Sequence, residues 1–207
     1  MDFIKMEKYL KETLEKNDAI LDKRHNLTFR NRYEHSLRVF KWVKRLSVDF
    51  DNFDYDVALT AALFHDIGYA AGQCDHNIGS SKIFLEYANE NNFDKGFTEK
   101  VNYIILNHSD KKMLKDSKNI EFIVVLEADL LDEEGSLGIV WDLLAAGQKN
   151  AKSYLDAINE IKKHSIHILS QDYMVTPTAI KIWDEKKNLV KDFISQLYED
   201  LFVEEEL

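Results

Sequence analysis

One cysteine, one proline and seven glycines in 207 residues rule out several kinds of protein. A single thiol, Cys74, cannot build an internal disulfide framework, and it suits a reducing compartment. Strand-rich folds need frequent turn residues, and long segments here have none, which favours an all-α fold. No run approaches the roughly 18 apolar residues of a membrane span. The opening MDFIKMEKYLKETLEK is amphipathic and charged, without the apolar core of a signal peptide. A cytoplasmic location is therefore expected, with no membrane partner. No Walker-type glycine loop and no dinucleotide fingerprint is present.

Positive charge is also scarce, with 27 basic residues against 37 acidic ones and a net charge of −10. Such a surface repels nucleic-acid backbones and anionic membranes, so a nucleic-acid polymer is not an expected partner. A small phosphorylated substrate stays compatible, because a bound cation reverses the sign of one pocket locally.

What the chain does have is helical periodicity. Apolar spacing predicts helices at roughly 2–16, 29–48, 53–69, 76–91, 97–109, 118–132, 136–147, 150–171 and 177–203. Asn52 or Asp54 is placed to cap the third helix and Gly68 to end it. Thr176-Pro177 reads as an N-cap followed by proline at the first helical position. No linker or repeat divides the chain, so one domain over 1–207 is expected. In that reading the helices from 150 to 203 pack on the rest, and the acidic tail VEEEL is a frayed end.

Four apolar stripes each carry one metal-competent residue. His35 lies in register with Val39, Trp42 and Leu46. His65 follows Ala58, Ala61 and Ala62, while Asp66 follows Leu59 and Leu63. His108 completes Val101, Ile104 and Ile105, and Asp129 completes Phe122, Val125 and Leu126. These spacings put polar groups on core-facing surfaces, where an unpartnered ion is costly. Any one of them alone reads as a hydrogen-bonded core residue or a helix cap. Together they favour a divalent cation held between packed helices. His76 opens a helix, with Gly79 allowing a close backbone approach; spacing alone fits a ligand and a solvated residue behind an Asp75 cap equally well. His164 and His167 sit beside lysines and His25 in a charged segment, so these three read as surface groups.

The segments NRYEHSLRV, ALFHDIGY and VVLEADLLDEEGSLGI, in that order between Arg32 and Trp141, resemble the HD-domain superfamily of metal-dependent phosphohydrolases, whose pattern is H…HD…D. The last segment is similar to the "DADRLDxxGxxGI" run of small bacterial members. The resemblance implies a helical HD-domain bundle with core motifs over about 32–141. It implies His35, His65, Asp66 and Asp129 as ligands of one ion, with Asp66 bridging toward a second held by His76 and His108. The ion would be manganese, iron, cobalt, nickel, zinc or magnesium, one or two per chain. Two positions depart from the pattern: Tyr69 stands where several relatives have an acidic residue, and Leu130 replaces the arginine of the last run.

The chemistry that follows is metal-assisted hydrolysis of a phosphate ester or anhydride, on a nucleotide or another small metabolite. Asp66 is the central catalytic carboxylate. Asp132, three residues past Asp129, either orients water, holds a ligand histidine, or is an exposed member of the run DEE. Phosphate contacts are expected from Arg38, one turn after His35, and from Lys111 and Lys112 after His108. Two alternatives share the ligand pattern: a di-iron HD oxygenase, which needs both His76 and His108, and a non-catalytic HD module that senses a ligand. The sequence is compatible with an oligomer and does not specify one.

Overall fold

A computed structural model describes residues 1–21, 30–72 and 75–204. His25, Cys74 and the end of the acidic tail lie outside these residues. Among the described residues the fold is all-α, with no strand and one isolated bridge between Leu21 and Asn31. The chain forms two compact units, Met1–Asp132 and Glu133–Leu207. The helices expected over 150–203 lie in the second.

The first unit contains α1 (Phe3–Lys16), α2 (Arg32–Leu46), α3 (Tyr55–Phe64), α4 (His76–Glu90), α5 (Lys95–Asn107), α6 (Met113–Asp116) and α7 (Ile120–Glu133). Helix α3 is its axis. Every residue from Val57 to Phe64 is buried, so beyond its first two residues this helix has no solvent face and needs neighbours on all sides. Asp54 caps it through the Val57 N–H at 3.2 Å, and the Asp54 N–H donates to Glu121 of α7 at 2.9 Å. At its other end Phe64 packs edge-on against Phe84 of α4 and stacks with Tyr9 of α1. In helix α7 every residue from Phe122 to Asp132 is buried, the acidic Glu127, Asp129 and Asp132 included.

Three expectations about elements need correction. The helix expected over 53–69 stops at Phe64, and a 3₁₀ turn over Ile67–Ala71 follows the His65-Asp66 pair. Gly68 does not end a helix; a Cβ there would meet the His76 carbonyl oxygen at 1.9 Å, so the turn lies directly on the backbone of α4. Gly79 completes this approach, its own Cβ position being 2.9 Å from the Gly68 oxygen. The one-turn helix α6 falls in a stretch read as irregular, where four residues are too few for periodicity to show.

In the second unit, α8 (Ser136–Gln148) precedes α9 (Tyr154–Ile161), a π turn (Lys162–Ile166), α10 (His167–Leu169) and α11 (Pro177–Leu201). Ser153 opens α9 with a reciprocal capping box to Asp156, which moves its start from the expected 150. The π turn coincides with Ser165, whose hydroxyl and N–H both donate to the buried Asp142 carboxylate, at 2.7 and 3.3 Å. Thr176 and Pro177 stand at the expected N-cap and first helical positions.

Candidate metal centre

The break after α3 is built by α4. The Ser80 hydroxyl accepts the Gly68 N–H at 2.8 Å and donates to the His65 carbonyl at 2.6 Å. With the two glycines in contact, this clamp fixes the turn that carries His65 and Asp66. Helices α2, α4, α5 and α7 then bring their polar residues to the same place.

His35 Nε2 lies 3.2 Å from His65 Nε2 and 3.2 Å from Asp129 Oδ1, and His65 Nε2 is 3.7 Å from the same Asp129 oxygen. His76 Nε2 and His108 Nε2 are 3.0 Å apart. Asp66 stands between the two groups. Its Oδ1 is 3.4 Å from His108 Nε2, 3.5 Å from His76 Nε2 and 3.7 Å from His65 Nε2. Its Oδ2 is 3.8 Å from His35 Nε2 and 3.5 Å from Arg32 Nη1. The donors thus fall into two clusters that share Asp66, one with His35 and His65, the other with His76 and His108.

Tautomers decide whether a cation fits. The far nitrogen of each of three rings is already committed. His35 Nδ1 meets Asp132 Oδ2 at 2.8 Å, His65 Nδ1 donates to the Ala62 carbonyl at 2.9 Å, and His108 Nδ1 donates to the Ile105 carbonyl at 2.7 Å. Those bonds place the ring protons on Nδ1 and leave the Nε2 lone pairs pointing inward. Inward lone pairs about 3 Å apart repel unless a proton or a metal ion lies between them. Imidazole and carboxylate donors in this arrangement fit one or two divalent cations.

In the ion-free site His35 carries a second proton, on the Nε2 that faces Asp129, which a cation would displace. Burial pushes His35 down, but its bonds to Asp129 and Asp132 outweigh this and hold it up at about 9. Burial dominates at His65 and takes it down to about 4, and it also lowers His76. Burial opposes ionisation of Asp66 and Asp129, yet the histidines, and at Asp129 also Lys111, keep both carboxyls well below the usual range.

The other expected site residues fall as follows. Asp132 is buried behind His35 and is gripped by Arg38, with Nε and Nη2 at 2.8 and 2.9 Å from its two oxygens. Arg38 therefore reaches the centre through Asp132 rather than directly. Lys111 lies at the centre, its Nζ 2.7 Å from Asp129 Oδ2. Lys112 is exposed at the start of α6, its N–H bonded to Asp110. His164 faces Glu160 at 3.4 Å in the second unit.

Spacing missed Arg32, although it lies one turn before His35 on the same face. Its guanidinium is buried, touches Asp66, and sits 3.1 Å over the centre of the Tyr69 ring.

Comparison with known proteins finds the same fold elsewhere. Residues 32–134 match the HD domain family, and the chain has the fold of HD-superfamily proteins. It is 29% identical over 158 residues to the protein YpgQ of Bacillus subtilis, covering 72% of this chain and 74% of that one. The crystal structure of an HD-superfamily hydrolase from Bacillus thuringiensis has a TM-score of 0.73 at 21% identity, covering 97% of this chain and 96% of that one. The crystal structure of B. subtilis YpgQ in complex with ADP has a TM-score of 0.67 at 21% identity, covering 95% and 96%.

Proposed function

We propose that this chain is a metal-dependent phosphohydrolase cleaving a phosphate ester or anhydride of a nucleotide or similar small phosphorylated metabolite. The observation that carries the reading is the placement of Asp66 between two histidine pairs whose nitrogens face inward. A divalent cation bound there supplies Lewis-acid polarisation of a phosphoryl oxygen and of water. The chain's own groups hold and orient it. Asp66 offers one oxygen to each cluster, Asp132 fixes the His35 ring, and Arg38 fixes Asp132.

Lys111, Arg32 and Arg38 concentrate positive charge beside these carboxylates in a chain that is acidic overall. Lys111 is about one quarter exposed and can meet an incoming phosphate while still near Asp129. The ADP bound in the YpgQ crystal supports a nucleotide as the ligand class.

The test is phosphate and pyrophosphate release over a panel of nucleotides and sugar phosphates. Activity is expected with manganese, cobalt or nickel, and a chelator should remove it. Asp66→Asn, which keeps shape but removes the shared negative charge, should abolish it while helical circular dichroism persists. Undiminished hydrolysis by the metal-free Asp66→Asn protein would refute the assignment.

A further inference from the structure

His76 differs from the other three histidines. Their Nδ1 atoms are anchored by Asp132, the Ala62 carbonyl and the Ile105 carbonyl. Among the described residues, His76 Nδ1 makes no hydrogen bond; all its polar contacts run through Nε2, to His108, Ser109 and Asp66. Its side chain is also the most exposed of the four, at 21% against 8% or less. A ring with one nitrogen unanchored and access to water is free to flip, which would turn Nε2 away from the centre.

What restrains it is a ring face. The Tyr69 and His76 rings stack with centroids 4.5 Å apart and planes 9° from parallel. The Arg32 guanidinium carbon lies 3.1 Å from the Tyr69 centroid, and two groups this close cannot share one face of the ring. Tyr69 is therefore clamped between them. Arg32 is itself tied to Asp66 Oδ2, and His76 Nε2 faces Asp66 Oδ1, so the four side chains close a circuit around the shared carboxylate.

We propose that Tyr69 is a positioning residue for the Asp66–His76–His108 cluster: its clamped ring replaces the missing Nδ1 hydrogen bond and keeps the His76 Nε2 turned toward an ion. The inference rests on His76 being a ligand and not on the reaction catalysed. The ring face is the part of Tyr69 that holds His76.

The experiment is a manganese titration of the full chain by equilibrium dialysis with elemental analysis, which resolves two binding steps in the wild type. Tyr69→Phe keeps the ring and should bind both ions within about twofold of wild type, whereas Tyr69→Leu should weaken one step by about 10- to 100-fold and spare the other. His76→Ala should lose the same step, and adding Tyr69→Leu to it should cost nothing more at that step. A purely structural role for Tyr69 would lower the melting temperature or weaken both steps together, and would not single out the step lost in His76→Ala.

Wild-type binding of both ions by Tyr69→Leu would overturn the proposal. So would loss of a step in Tyr69→Phe, equal weakening of both steps, or a wild type that takes a single ion. If circular dichroism shows that Tyr69→Leu does not fold, Tyr69→Met takes its place, and the Tyr69→Phe arm still decides whether ring or hydroxyl matters. A normal two-step titration with no turnover of any phosphorylated compound would end the hydrolase reading and leave this one standing.

Discussion

Asp132 shows how one carboxylate organises a centre that it does not enter. It is almost wholly buried, yet both oxygens are used, one on Arg38 and the other on Arg38 and His35. Burial alone would favour its protonated form, but these bonds outweigh it and keep the carboxyl below its ordinary value. Removing it frees the His35 ring and leaves a guanidinium without its partner. Asp132→Ala is expected to lower manganese affinity by about 10- to 100-fold with the helical spectrum retained. Calorimetric titration checks this, and wild-type affinity in the variant would exclude the supporting role.

At the scale of elements, the contact between the turn after α3 and the start of α4 governs the site. Gly68→Ala puts a methyl group 1.9 Å from a backbone oxygen and 2.2 Å from the Ser80 nitrogen, neither of which can rotate away. Helix α4 must shift, taking His76 with it, at a cost of about 1–3 kcal/mol or more. A lower melting temperature together with weakened manganese binding is expected; a variant that melts and binds like wild type would show that the two backbones are not in contact.

The same contact explains what could be read from sequence. His35, His65, Asp66, His108 and Asp129 could be singled out because each lies in, or directly continues, the apolar stripe of one helix. Arg32 did not, since a buried guanidinium makes sense only through Tyr69 and Asp66, which come from elsewhere in the chain. Nor did the end of α3 at Phe64, which Ser80 and Gly79 of another helix impose. Lys111 was legible as a nearby cation, but its carboxylate partner, Asp129, was not.

For the whole molecule, the consequence is a link between metal and stability. All the clustered donors, and the side chains that hold them, lie within Met1–Asp132, and their polar atoms are mostly buried. No helix of the described residues is long and apolar enough to cross a membrane. Without a cation the inward nitrogens and carboxylates must be balanced by protons, Arg32 and Lys111. Unfolding separates the donors, so a cation that binds only the assembled site shifts the equilibrium toward the folded state. At about one hundred times its dissociation constant, an ion adds about 2.7 kcal/mol. For a chain of this length that corresponds to about 5–10 °C in melting temperature. Manganese should produce this rise in the wild type, excess chelator should reverse it, and Asp66→Asn should show little of it because both clusters lose their common charge. Differential scanning calorimetry of wild type and variant, each with manganese and with chelator, makes the comparison. Equal shifts in the two proteins would mean that the ion binds somewhere other than the centre built around Asp66.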